Sequence, residues 1–202
     1  MYRIKSELKQ IPLKQLRPTQ MTVGFREVKQ KRMDLQALGK KKRQATMAEL
    51  LFPAVCGPED AYFILDHHHL ALALEQERAK KVRVGVVEDF SDMSPDDFWI
   101  HLDHLSWVHP YDARGKRRPF EDLPRKFPEL ADDPYRSLAG DVRHLGGFAK
   151  SDAPFLEFLW ANFFRARVDL RNRNQYRAAL RKALHLAHGN EARNLPGWVG
   201  GG

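Results

Sequence analysis

Asp66, His67, His68 and His69 stand together at a change of local character. The residues before them, Phe63-Ile64-Leu65, are apolar and favour a strand. The residues after them, Leu70-Ala71-Leu72, favour a helix. A strand feeding a helix through a polar junction is where α/β chains hold phosphates and catalytic groups, because the first amides of a helix lack internal partners and the helix dipole is positive there. Three consecutive histidines on a helix point about 100° apart, so they cannot all face one ion. Helical metal pairs use i,i+3 or i,i+4 spacing instead, and the run is expected to hold no metal. One or two of the histidines are then expected to face a ligand while another packs inward. A histidine placed so can donate to a phosphate oxygen or move a proton near neutral pH. Asp66 has two readings: a helix cap, or a group that orients a histidine or binds a cation.

A second constellation lies upstream, in Gln20-Met21-Thr22-Val23-Gly24-Phe25-Arg26-Glu27, followed by Lys29, Lys31 and Arg32. Gly24 suits a close backbone approach to a ligand. Glu27 and Lys31 are i,i+4, a spacing that gives a surface pair. Alternatively Glu27 serves as a general base and Arg26 as a phosphate clamp. Asp97, His101 and His104 share a helix face at metal-compatible spacing, but an exposed polar stripe is the simpler outcome, and His185 and His188 read the same way. The stretch 107–118 mixes Trp107, His109 and Tyr111 with Arg114, Lys116, Arg117 and Arg118, and suits either an ordered loop or a grip on nucleic acid. No Walker loop, Gly-x-Gly-x-x-Gly or Cys-x-x-Cys occurs.

Composition bounds what can position these groups. The 202 residues suffice for a sizeable core. Cys56, the one cysteine, cannot form an intramolecular disulfide, which points to a reducing compartment. With no leading apolar run and no stretch of roughly 20 apolar residues, the expected location is cytoplasmic, with no membrane partner. The net charge of +8 is uneven: Lys and Arg outnumber Asp and Glu by 13 to 4 in residues 1–50 and by 8 to 2 in 165–202, while 51–164 hold 13 against 20. Basic ends suit phosphate, nucleic acid or an acidic partner, or simply a solvated surface. Lys40, Lys41, Lys42 and Arg43 form one basic patch, and Arg173, Arg177 and Arg181 share a helix face in the other.

The patterning predicts a short edge strand over 11–16, a helix over 25–38 ended by Gly39, and a loop or further helix around 47–51. A hairpin of 54–56 and 62–65 turns at Gly57-Pro58-Glu59-Asp60. A helix over 68–77 and a β-branched strand over 82–87 follow. Ser94-Pro95-Asp96-Asp97 starts a helix to about Trp107. Loops and short helices are expected over 109–134, a helix apolar nearly all round over 154–164, a last helix over 174–187 with Tyr176, Leu180, Leu184 and Ala187 on its packed face, and a frayed tail from Leu195.

Together these segments resemble the ParB/sulfiredoxin superfamily, and more closely its ParB-like nuclease family. The resemblance rests on Leu16-Arg17-Pro18-Thr19-Gln20, on Val23-Gly24-x-Arg26-Glu27 and on Asp66-His67-His68-His69. It extends through His109-Pro110-Tyr111-Asp112, the Asp133-Pro134-Tyr135-Arg136-Ser137-Leu138-Ala139 run, and Gly146-Gly147-Phe148-Ala149-Lys150. It implies an α+β fold, a small mixed sheet with helices over residues 1–90, and a C-terminal helical extension over 91–202. It also implies nucleotide or phosphate binding at the turn before the helix. Members include partition proteins that hydrolyse CTP, a reductase that uses ATP on a sulfinic acid, and free-serine kinases. In the kinases the turn reads Asp-Gly-His-His-Arg. Here Asp66, His68 and His69 match, His67 replaces the glycine and Leu70 the arginine, leaving His67 or Arg26 to supply that phosphate contact. Glu27 falls where the kinases carry a catalytic glutamate. Cys56 lies outside the turn, which argues against sulfinic acid chemistry. The resemblance thus implies a nuclease or nucleotide-dependent phosphotransferase, with Glu27, His68 and His69 catalytic, Gln20, Gly24, Arg26, Asp66 and His67 holding phosphate or nucleotide, and Mg²⁺ assisting. The alternative is a non-enzymatic module binding nucleic acid or a partner through the two basic patches.

Overall fold

The computed structural model describes Ile4, residues 8–170 and residues 173–200, with side chains throughout except at Arg173. It is α+β. By its contacts the chain divides into two compact units, Met1–Val23 with Val28–Ala131, and Gly24–Glu27 with Asp132–Gly202.

The first unit is built on a five-stranded mixed sheet. Its strands are β1 (Lys9–Pro12), β2 (Leu16–Arg17), β4 (Leu51–Cys56), β5 (Tyr62–Ile64) and β6 (Lys81–Asp89), in the order β1-β6-β4-β5-β2; the two-residue strand β3 (Thr22–Val23) lies outside it. β4 runs parallel to β6 and antiparallel to β5, β1 is antiparallel to β6, and β2 is parallel to β5. The alternating pleat sends neighbouring residues to opposite faces, and each face carries its own core. On one, Phe52, Ala54, Ile64, Val82 and Val84 pack with Ala71, Leu72 and Leu74 of helix α3 (His68–Gln76) and with Val28 and Leu35 of helix α1 (Phe25–Ala37). On the other, Val55, Phe63, Leu65 and Val87 pack with Phe98 and Leu102 of helix α4 (Pro95–His104). A bulge between Ala54 and Val55 shifts the register against β6. The hairpin over Gly57-Pro58-Glu59-Asp60 forms as the turn residues foretold, and Ser94 caps α4 by accepting from the Asp97 amide.

The expected strand over 11–16 is instead broken in two. Leu13 and Leu16, three residues apart, are both buried in one core, whereas an unbroken strand would turn them to opposite faces. A 3₁₀ turn over Leu13–Gln15 resolves this and carries the chain from one sheet edge to the other. The strand expected over 54–56 is longer: β4 begins at Leu51 and includes Pro53. Gly39 does not end α1 in a left-handed conformation. It lies extended between α1 and helix α2 (Lys40–Glu49), the helical outcome for that basic segment.

The second unit packs helices α5 (Pro134–His144), α6 (Leu156–Arg165) and α7 (Tyr176–His188) around Trp160, which is fully buried and stacked on Phe148 at 4.3 Å. The short strand β7 (Ala131–Asp132) precedes α5. α7 buries Ala179, Ala183 and Ala187, small residues that permit a close approach, while the predicted Tyr176, Leu180 and Leu184 are only partly covered. α6 is not buried all round, because Leu159 and Asn162 are exposed. The tail expected to fray is ordered through Gly200. Leu195 and Trp198 join the core, Trp160 Nε1 donates to the Pro196 carbonyl (2.9 Å), and the Ala149 amide donates to the Gly197 carbonyl (2.7 Å).

Candidate functional site

In the first unit, β5 ends at Ile64 and α3 begins at His68, so Leu65, Asp66 and His67 form the junction. His67 occupies the left-handed region, with φ 67° and ψ 25°, at the N-cap position, and its side chain does not cap the helix. The Asp66 carboxylate bends back to accept the His67 amide at 2.6 Å, with the His67 ring Nδ1 3.9 Å away. Asp66 and His67 are exposed, and the His67 ring meets Phe52 edge-on. His68 and His69 are buried.

The buried polar residues of this unit are Thr19, Gln20, Thr22, His68, His69 and His109. The Thr19 amide donates to His68 Nε2 (3.1 Å), and the Thr19 hydroxyl donates to the Ile64 carbonyl (2.8 Å). The His109 amide donates to the Thr19 carbonyl (2.8 Å), and the Tyr111 ring lies against the His109 ring, 4.6 Å between centroids. Gln20 bridges backbone-to-backbone with His109, and its side-chain amide donates to the Thr22 carbonyl at 2.7 Å. The loop after His109 is closed by Asp112, which accepts the Arg114 and Lys116 amides. The Lys116 bond in particular holds its carboxyl below the usual range. Sequence reasoning singled out the histidines and Gln20. It missed Thr19, whose small side chain signals nothing until the fold sets it against His68 and the Ile64 carbonyl.

Gly24, Arg26 and Glu27 belong to the second unit. What crowds Gly24 is Ser137, since a Cβ there would stand 2.6 Å from Ser137 Oγ. The start of α1 is already capped: the Phe25 amide donates to Asp132 Oδ1 (2.9 Å) and the Arg26 amide to Ser137 Oγ (3.3 Å). The Arg26 guanidinium stacks on Tyr176 at 3.9 Å and pairs with Asp141 at 3.4 Å. The Tyr176 hydroxyl also donates to Asp141 (2.8 Å), and burial, reinforced by that carboxylate, pushes the phenol well above its ordinary value. The Glu27 carboxylate lies alongside Gly140.

Lys40, Lys41 and Lys42 are exposed and Arg43 is half-buried at the start of α2; none forms an ion pair with a described residue. Arg177 and Arg181 are exposed on α7, and the Arg173 side chain lies outside the described residues. Asp97 accepts from the Ser94 hydroxyl and His101 packs on Phe90. Among the described residues no group of three or more His, Cys, Asp or Glu side chains is placed to hold a metal, and no helix is long and apolar enough to cross a membrane.

This α+β arrangement has a counterpart among known families. Residues 9–166 match the family described as "Putative ParB-like nuclease", and the chain belongs to that ParB-like family. It is also similar to a solved structure, the crystal structure of protein Atu1540 from Agrobacterium tumefaciens. The two share 42% identity and a TM-score of 0.90, over 98% of this chain and 100% of the other. No curated protein matches.

Proposed function

We propose that this ParB-like chain takes a phosphate-bearing ligand, a nucleotide or a nucleic-acid phosphate, at the turn before α3, and cleaves or transfers a phosphoryl group there. The observation that carries the reading is the backbone of His67. The free-serine kinases that the turn resembles have glycine at that place, and His67 keeps the left-handed geometry that glycine adopts freely. A non-glycine residue held there costs on the order of 1–3 kcal/mol and persists where the surroundings impose it, as at ligand-binding turns. The shape is therefore retained although the glycine is not.

Asp66 and His67 form the exposed lip of the turn and are the groups offered to a ligand. His68 and His69 lie beneath it, with His68 Nε2 tied to the Thr19 amide. His67 is the donor proposed to replace the absent arginine. Glu27 is, on the resemblance, the residue to test as base. Mg²⁺ would enter on the phosphates of a nucleotide, with Asp66 as its exposed protein carboxylate, since Mg²⁺ bound this way needs only one or two carboxylates.

A thermal-shift series against nucleotides, with and without Mg²⁺, tests the reading. A ligand that binds only the folded chain stabilises it by about 2.7 kcal/mol at a hundred times its Kd. One nucleotide class should raise Tm saturably, and Asp66→Ala, a change at an exposed site, should remove the rise. A flat response across the set, with no nuclease activity on DNA or RNA, sinks the proposal.

The second reading, a module that binds nucleic acid through α2, is favoured by one observation: Lys40, Lys41 and Lys42 are exposed and form no ion pairs with the described residues.

A further inference from the structure

The second unit holds buried guanidinium nitrogens that have no hydrogen-bond partner among the described residues. Arg136 is 6% exposed. Its Nε and Nη1 atoms are buried with no hydrogen-bond partner, and so are the Nε atoms of Arg143 and Arg165. Among the described residues two carboxylates pair with these three guanidinium groups, and Arg165 also donates to Asn162 Oδ1. Asp133, buried at the start of α5, is engaged by Arg165. Glu157 is shared: its Oε2 lies 4.0 Å from Arg136 Nη2, and its Oε1 lies 3.2 Å from Arg143 Nε in an ion pair without hydrogen-bond alignment.

The Phe158 ring under Arg136, 4.5 Å from the guanidinium carbon, does not account for this. A stacked ring covers the face of the guanidinium, whereas its N–H groups lie in the plane and still need acceptors. A buried donor without an acceptor forfeits its hydration, and a buried charge is tolerated only when paired. Such groups in a native fold call for a partner, commonly an ion or water. Here the guanidinium charge and the unmade hydrogen bonds name the same kind of partner, an anion with several acceptor oxygens.

We propose that Arg136 and Arg143 form a receptor for an oxyanion, a phosphate group or a carboxylate, with Glu157 as the resident counter-ion that the ligand displaces or joins. Guanidinium forks match both oxyanions in planar, charge-assisted geometry. The side chains of Arg143 and Glu157 are each 30% exposed, so the pair is reached from solvent. The site lies wholly within the second unit, whereas the turn before α3 belongs to the first.

The test is calorimetric titration of the intact chain with inorganic phosphate and with acetate, at constant ionic strength held by chloride. Saturable binding is expected for at least one, and the comparison tells a phosphate receptor from a carboxylate receptor. Arg143→Gln, a change at a half-exposed residue, should weaken binding at least tenfold with the Tm of the unliganded chain little altered. Glu157→Gln should strengthen it, because the competing internal anion is gone; a purely structural Glu157 would leave affinity unchanged. No saturable heat with either anion overturns the proposal. So does phosphate binding that survives Arg143→Gln but is lost in Asp66→Ala, which would place the anion at the turn instead.

Discussion

His67 carries a side chain into a backbone conformation that favours glycine, and the two properties separate under mutation. His67→Gly removes the left-handed strain, so the unfolding free energy in urea should hold or rise by about 1 kcal/mol, while His67→Val should lower it by about 1–3 kcal/mol because a β-branched residue tolerates that region worst. If His67→Gly is instead clearly destabilising, packing of the ring on Phe52 outweighs the backbone, and the turn is not held in a strained shape. The glycine variant also tells whether the imidazole touches a ligand: the nucleotide-induced rise in Tm should shrink although the turn keeps its form. The Asp-His-His-His run was conspicuous in the sequence, and so was its place between strand and helix. Which histidine faces out was not, since that depends on where the chain crosses from β5 to α3. Thr19 was silent for a related reason. A threonine hydroxyl that donates to the Ile64 carbonyl, beside an amide that holds His68, has no local pattern, because its partners lie more than forty residues away.

Elements with strong local signals were readable, and those set by long-range packing were not. Ser94 with Pro95 started α4 where capping chemistry requires, and Gly57-Pro58 turned the hairpin. The break between β1 and β2 was hidden, because alternation suits a strand until one knows that Leu13 and Leu16 share a core. Pro53 concealed the first half of β4 by obeying a rule about missing amides that a bulged strand can evade. The tail after Leu195 has the composition of a loose end, yet it closes over α6. Trp160 makes that closure testable. It is fully buried, stacked on Phe148, and bonded through its indole N–H to the Pro196 carbonyl. Trp160→Ala should destabilise the chain by about 3–5 kcal/mol in chemical denaturation, as large-to-small changes at buried aromatics do. Increased amide exchange of Ala149, whose partner is the Gly197 carbonyl, should accompany the loss. An unchanged Ala149 would mean that the tail is held independently of the tryptophan.

At the scale of the whole chain the two functional readings make opposite demands on charge. The surplus of +8 lies at the ends of the sequence, with an acidic middle, and one exposed concentration of it is the start of α2. Replacing Lys40, Lys41 and Lys42 together by alanine separates the readings, because α2 buries none of its residues and surface substitutions of this kind stay within about 0.5 kcal/mol of neutral. Any loss of binding then reports charge rather than folding. Association with duplex DNA loses affinity with salt at a slope of about 0.9 per phosphate neutralised. If α2 holds nucleic acid, fluorescence anisotropy across a salt series should show the slope fall by roughly two to three in the triple variant. The nucleotide response of the turn should stay the same, since it depends on Asp66 and His67. An unchanged slope would remove α2 from any nucleic-acid interface. A variant that loses both the slope and the nucleotide-induced rise in Tm would mean that one ligand is held by α2 and the turn together, and neither reading would stand in its separate form.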